Sequence, residues 1–462
     1  MPNNIKEDLA LFNELVAVFL EEETKNPVAK YIKPVMIAKE VDVKLTDQGI
    51  ADSQLKKSLK KLLLRSTKSS SKMFFNQLFG GRHSKAVLGD LLAVMLNNSM
   101  ATYKIAGPQV AVEQEILSQI YNLIGYNNNP GGTMPTGGSM SNFMSLVMAR
   151  DKASFDIKET GVSKKLIAYT SQNAHYSLSK NASFTGIGRS NVRYIKSDDH
   201  GRINVFEFEK QVQSDLLNGF TPFYLNATAG TTVLCAYDDI KALAPICKKH
   251  NIWLHLDGAF GGAVIFSDKH KHLVDGIDQT NSFCFNAHKI LGNPLSTSVL
   301  VTKDKNDLYN SFNNKASYLY QTHDDEFNLG QNSFECGRRN NALKLWTMWK
   351  AIGTNGIANI VDQEFKLADA ARSYVKNNSD YKLYSFEESL SVCFNYKDFD
   401  PEDLCAKLYE SNTLMIGFGN FQNKKFVRLV VVNCENTHED LMRVFQVLEK
   451  FANKNKNLLK KI

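Results

Sequence analysis

Two short segments carry residue types that can do chemistry together. In IWLHLDGAFGG (252–262) an apolar, strand-like run delivers Asp257 at its C-terminal end, and a glycine-rich turn follows. In SFCFNAHKILG (282–292) a second apolar run ends in Asn286-Ala287-His288-Lys289. Ligands of open α/β sheets bind beyond such strand ends. Taken alone, Asp257 reads better as the cap of a following helix, and Lys289 divides evenly between a structural and a chemical role. A lysine just past a buried strand is poorly placed for solvation, however. Burial lowers its pKa and yields the neutral amine that attacks a carbonyl. The two together are more specific than either, because neighbouring strand ends can hold them at opposite edges of one flat ring. Pyridoxal phosphate requires such a pair: a lysine to bind its aldehyde, and a carboxylate against its pyridine nitrogen, whose protonated ring is the electron sink.

A bound ring also needs a face to lie on and a cradle for its phosphate. His175, in YTSQNAHYSLSKNA (169–182), follows another apolar run and can stack on a ring, although a lone histidine is more often an ordinary polar residue. GGTMPTGGSMSNF (131–143) offers a glycine-rich turn with Ser139 and Ser141 leading into a helix-like stretch. Free N–H groups at a helix start bind anions. In LNATAGTTVLCAYD (225–238), Thr232 follows a strand among small residues that leave a cofactor room.

These groups need a scaffold, and the 462 residues suffice for two or three domains. From about 73 to 300, strand-like runs (KLIAYT, NVRYIK, PFYLNAT, IWLHLD, SFCFNAH, TSVLVT) alternate with helix-like ones. That pattern implies an α/β domain with a mostly parallel sheet. Residues 1–72 read as helices followed by a polar linker or flexible loop, STKSSSK (66–72). The large domain is expected over 73–350. A small C-terminal α+β domain is expected over 351–462, with SLSVCFNY and KFVRLVVVN as strands and a frayed tail KNKNLLKKI.

Composition narrows the class. The chain is 43% hydrophobic and 22% charged, as globular proteins are, and its formal charge of +7 is mild for this length. The N-terminus lacks the features of a signal peptide, and no stretch has the roughly 18 uncharged apolar residues of a membrane span. Seven scattered cysteines with no CxxC pair point to reduced thiols in a cytoplasm, without a disulfide framework or a metal site. The basic run LKKSLKKLLLR reads as a solvated helix face, so neither nucleic acid nor membrane is expected as a partner.

The ordered set FFNQL (74–78), TGGSMSN (136–142), SQNAHYS (171–177), NATAGTT (226–232), HLDGAFGG (255–262), NAHK (286–289) and CGRR (336–339) resembles the group II pyridoxal-phosphate decarboxylases, glutamate and cysteine sulfinate decarboxylases above all. The resemblance runs from about residue 73 to the end. It implies the aspartate-aminotransferase type of fold (fold type I) and a homodimer with active sites at the subunit interface. It makes Lys289 the Schiff-base lysine and Asp257 the pyridinium partner. His175 would stack on one face of the ring and Ala259 pack on the other. Ser139, Met140 and Ser141 would hold the phosphate with help from Asn286 and His288, and Thr232 would sit near the ring's 3-oxygen. Substrate positions fall on Gln77, Phe79, Ser99, Ala101 and Arg428. A guanidinium at Arg428 suits a carboxylate or sulfinate, since two parallel N–H donors meet two oxygens. An ordinary strand-surface ion pair is the alternative for that arginine.

The chain departs from the resembled pattern in three places. Asn-Ala-His-Lys stands where Asn-Pro-His-Lys is usual. The pocket positions Phe79, Ser99 and Ala101, with Lys104 nearby, imply a roomier site than that of glutamate decarboxylase. The catalytic loop, THDDEFNLGQNSFE, is about three residues shorter, and Phe327 matches the tyrosine that protonates Cα. In the related aromatic group, phenylalanine there accompanies aldehyde-forming oxidative activity. His323 or Tyr320 can supply the proton instead. The leading expectation is therefore decarboxylation of aspartate, glutamate or cysteine sulfinate. The alternatives are 2,4-diaminobutyrate or an aromatic amino acid as substrate, oxygen-dependent aldehyde synthesis, or a non-catalytic interaction protein, which would not need both Lys289 and Asp257.

Overall fold

The structure is a computed structural model that describes residues 4–25, 28–154, 156–313, 320 and 325–462. The chain divides into two compact units. One comprises residues 1–81, 370–384 and 392–462; the other comprises 82–369 and 385–391.

The strands in chain order are β1 (Phe74–Phe75), β2 (Gly131–Thr133), β3 (Leu166–Ser171), β4 (Val192–Ile195), β5 (Thr221–Thr228) and β6 (Trp253–Gly258). Then come β7 (Ser282–Asn286), β8 (Ser298–Thr302), β9 (Tyr381–Leu383), β10 (Ser391–Tyr396), β11 (Met415–Phe421) and β12 (Lys424–Val430). In the larger unit, seven strands form one sheet in the order β2-β8-β7-β6-β5-β3-β4. Strands β4, β3, β5, β6 and β7 run parallel, and β8 and β2 pair antiparallel at one edge. Each of the six alternating runs read from the sequence becomes a strand. Side chains are buried completely in β3, β6, β7 and β8 and at all but the first position of β5, as a sheet covered on both faces requires, while the edge strand β4 exposes Tyr194. GGT (131–133), grouped with a turn from its glycines, is a short edge strand instead. A Cβ on Gly131 would lie 2.6 Å from Lys305 Cα, and one on Gly132 would lie 2.7 Å from Leu117, so the glycines serve close packing.

The helix Gly138–Ala153 is the element that matters most for the site. It is buried along most of its length, and Met144, Leu146 and Met148 join Leu166, Ala168, Tyr224 and Leu300 in one apolar cluster. Polar residues in such a helix need internal partners, and its Asn142 and Ser145 find them in the sheet. Further on, the helical stretch Ala342–Lys376 is interrupted at Gly353, whose φ of 68° is left-handed.

The other unit holds a five-stranded sheet in the order β1-β11-β12-β10-β9. Its N-terminal part is helical, as expected, over Ile5–Lys25 and Asp52–Arg65. The segment 66–72 is a loop, but Lys68, Ser70 and Ser71 in it are buried, and Lys68 donates to the Glu22 carbonyl at 3.1 Å. The tail, against expectation, is not frayed. Leu459 is buried, the Lys460 N–H donates to Asp403 at 2.9 Å, and Lys461 pairs with Asp398 at 2.6 Å. In both segments the polar composition hid specific internal acceptors.

Candidate active site

The C-terminal ends of β5, β6 and β7 lie side by side, with Thr228 beside Asp257 and Gly258 beside Phe285. Above them is a cavity of about 190 Å³ lined by Gly138, Ser139, Asn142, His175, Thr228, Gly230, Thr232, Asp257, Ala259, Phe260, Asn286 and Lys289. A dry cavity of about 150 Å³ accepts benzene, so this one has room for a single substituted ring. All twelve lining residues belong to the larger unit.

Asp257 is the penultimate residue of strand β6 and is buried at 4% exposure. One carboxylate oxygen accepts the Ala259 N–H at 3.0 Å and the other accepts the Asn142 side-chain amide at 2.6 Å. Lys289 follows β7 in a turn closed by its own N–H donating to the Asn286 carbonyl at 3.1 Å. It keeps some surface at the cavity wall, and its amine lies 5.9 Å from the centre of the Phe260 ring. Desolvation lowers the pKa of this amine, while the charge of Asp257 opposes the shift. That brings the ammonium toward the neutral, nucleophilic form.

His175 borders the same cavity. Its Nδ1 accepts the Ser177 N–H at 3.3 Å, and its ring lies 4.2 Å from that of Tyr176. Burial lowers its pKa, Asp257 raises it and Lys289 lowers it, so the neutral ring is favoured. At the cavity's other side the helix Gly138–Ala153 begins. Gly137 has a φ of 152°, and a Cβ on Gly138 would stand 2.8 Å from the Ala259 Cβ and 3.1 Å from Asn286 Nδ2. Any side chain at 138 would fill the space that an anionic group needs at this helix start.

Of the other expected cofactor positions, Ser139, Thr232, Ala259 and Asn286 line the cavity, while Met140, Ser141 and His288 stand outside its lining. Ser141 lies 3.0 Å from Ser298, whose hydroxyl donates to Asn286 Oδ1 at 2.6 Å. His288 is buried, its Nδ1 accepts the Thr297 N–H at 2.9 Å, and desolvation pushes its pKa down to about 4. The lining also includes Asn142, Thr228, Gly230 and Phe260, which the reading of the sequence did not select. A signal for Asn142 was present: it lies one helical turn past Gly138 in TGGSMSN.

The expected substrate positions are not in this lining. Ser99 and Ala101 pack against the returning end of the loop segment. The Arg338 N–H donates to Ser99 Oγ at 3.3 Å, and the Gly330 N–H donates to the Ala101 carbonyl at 2.8 Å. Gln77, Phe79 and Arg428 belong to the other unit, where Arg428 donates to the Asn76 carbonyl at 2.9 Å and burial lowers its pKa. Phe327 is exposed, with its ring 5.7 Å from that of Tyr103. Tyr320 brings its hydroxyl close to Gly330. His323 lies outside the described residues.

A half-buried lysine and a buried carboxylate on one cavity, a neutral imidazole beside them and a glycine cradle at a helix start together fit pyridoxal phosphate. The comparisons agree. Residues 34–397 match the model of the pyridoxal-dependent decarboxylase conserved domain. The chain is 33% identical to human cysteine sulfinic acid decarboxylase over 96% of its length and 95% of the relative's. The chain belongs to the pyridoxal-dependent decarboxylase family. Human acidic amino acid decarboxylase GADL1 is 33% identical to this decarboxylase, over 91% of this chain and 85% of the other. The crystal structure of mouse CSAD superposes with a TM-score of 0.91 at 31% identity, covering 96% of this chain and 98% of that one. The fold is that of the type I pyridoxal-phosphate decarboxylases, and the protein is a pyridoxal-phosphate-dependent amino-acid decarboxylase. Among the described residues no helix is long and apolar enough to cross a membrane, and no group of three metal-ligating side chains occurs.

Proposed function

We propose that this decarboxylase removes the α-carboxylate of a small acidic L-amino acid (aspartate, glutamate or cysteine sulfinate), with pyridoxal phosphate held at Lys289. The observation that carries the reading is the convergence of Lys289, Asp257 and His175 on one cavity. Similarity to a cysteine sulfinic acid decarboxylase and an acidic amino acid decarboxylase supports the substrate class. When bound, pyridoxal phosphate takes up the electron pair freed as carbon dioxide leaves. In this reading Lys289 binds the cofactor and yields to the substrate's amine. Asp257 keeps a proton on the pyridine nitrogen, and His175 and Ala259 confine the ring between them. The helix start at Gly138–Ser139, with Asn286, receives the phosphate, and Thr232 approaches the 3-oxygen. Ser141 acts through Ser298 on Asn286, and His288 holds the turn that carries Lys289. Arg428 carries the two-pronged donor that suits a distal carboxylate or sulfinate. The test is a panel of amino acids with products identified by mass spectrometry. The reading expects β-alanine, γ-aminobutyrate or hypotaurine, and a preference for tyrosine, tryptophan or 2,4-diaminobutyrate would overturn it.

The same reading makes the enzyme a cytoplasmic homodimer. Reduced thiols suit that compartment. The helix Ser84–Leu96 exposes Leu88, Leu91, Leu92, Val94, Met95 and Leu96, an apolar surface that a second copy would cover. Ser99, Ala101 and Phe327 then serve the partner's cavity. One observation favours a minor second activity. Phe327 has no proton to give to Cα, so oxygen can compete there, consuming O₂ and water and releasing aldehyde, ammonia and peroxide.

A further inference from the structure

Behind Asp257 lies a chain of buried polar side chains that the proposed chemistry has not used. It rests on strand alternation and helix spacing. Trp253, His255 and Asp257 share one face of β6, and Ser282 stands beside His255 on β7. Asn142 and Ser145, three apart on the helix Gly138–Ala153, meet that face from above. His255 Nε2 lies 3.0 Å from Asn142 Oδ1, and its Nδ1 lies 2.8 Å from Ser282 Oγ. Ser282 Oγ also receives the Trp253 indole N–H at 2.9 Å and stands 2.9 Å from Ser145 Oγ, to which the Tyr224 hydroxyl donates at 3.3 Å. His255, Ser145, Ser282 and Tyr224 have essentially no exposure.

The carboxylate sets the direction of every link. An ionised Asp257 only accepts, so Asn142 must turn its NH₂ toward it and its carbonyl toward His255. Flipping the amide would set two acceptors 2.6 Å apart. His255 must then carry its proton on Nε2, and Nδ1 must accept from Ser282. Ser282, having given its proton to His255, takes those of Trp253 and Ser145. Each donor in the chain therefore points toward the carboxylate. A protonated Asp257 would reverse the sequence and move the His255 proton to Nδ1. Burial keeps His255 neutral by pushing its pKa down to about 4, so one tautomer can be locked in place.

We infer that Asn142 and His255 are positioning residues that hold the Asp257 carboxylate charged and aimed at the cofactor's ring nitrogen. The inference rests on the reading that Asp257 faces that nitrogen. Four variants and one measurement without a variant test it, on holoenzyme reconstituted with ¹⁵N-labelled pyridoxal phosphate. Asn142→Leu and His255→Leu should lower kcat about 10–100-fold, the factor carried by a hydrogen bond to a charged group. KM should stay nearly constant, and the ring-nitrogen resonance should move toward the unprotonated position. His255→Gln, which keeps a donor facing Asn142, should recover most of both. In the wild-type enzyme, the ¹⁵N spectrum of His255 should show the Nε2–H tautomer. An Nδ1–H tautomer, or leucine variants with wild-type kcat and ring-nitrogen shift, would overturn the relay. If Asp257→Asn also left the ring nitrogen protonated, the underlying reading of Asp257 would fail as well; an effect of Asp257→Asn alone would leave that reading standing.

Discussion

The roles proposed for Asp257 and Arg428 depend on charge, so they are best tested by substitutions that keep shape and change charge or its geometry. Asp257→Asn preserves the outline while removing the negative charge. Its turnover should fall at least about 100-fold, on the order of 3 kcal/mol of transition-state stabilisation. Steady-state kinetics decide this, and near-normal turnover would make Asp257 a structural cap. Arg428→Lys keeps the charge but loses the two-pronged donor, so KM for an acidic substrate should rise about 10-fold, one lost charge-assisted bond. An unchanged KM would reduce Arg428 to its bond with the Asn76 carbonyl. His255 and His288 make a prediction about pH. Burial pushes both to about 4 in the fold, against about 6.5 when unfolded. Between those values the unfolded chain binds more protons, so stability falls as pH drops from about 6.5 toward 4. Urea unfolding at stepped pH should show that slope, reduced in His255→Gln, and a pH-independent midpoint would contradict it.

At the scale of elements, the segment that returns from the loop is the part most open to challenge. Phe327 packs on Tyr103, and neither its phenyl ring nor the neighbouring backbone carries an acid. Turnover under air should therefore produce measurable peroxide alongside amine, and Phe327→Tyr should raise the amine fraction. Product that is amine alone, independent of oxygen, would remove the side reaction. This segment also marks where the sequence stopped being informative. The strands were legible because buried parallel strands are continuous apolar runs. Asp257, Lys289, His175 and the Gly138 turn were legible because chemistry concentrates at strand ends and helix starts. Asn142 and His255 were not chosen, since their value comes from meeting across helix and sheet, and a linear motif does not display that meeting. The buried contacts of segments 66–72 and 454–462 were not legible, because Lys68 and Lys460 have partners far away in sequence.

At the scale of the whole molecule, a single chain leaves the apolar face of the helix Ser84–Leu96 in water, which globular monomers rarely tolerate. Light scattering should give twice the 51.9 kDa chain mass. Leu88→Glu with Leu92→Glu should yield a folded monomer of much reduced activity, because in the proposed dimer the loop and the Ser99–Ala101 segment serve the partner's cavity. A fully active monomer would contradict that arrangement. The proposed chemistry depends on one bond, between the cofactor's aldehyde and one particular lysine among many. Borohydride reduction of the holoenzyme fixes that bond, and peptide mapping by mass spectrometry then reads which lysine carries the pyridoxyl mass. Lys289 is the expected carrier, with the label and the visible absorption both absent in Lys289→Ala. A pyridoxyl label on any other lysine would contradict that chemistry.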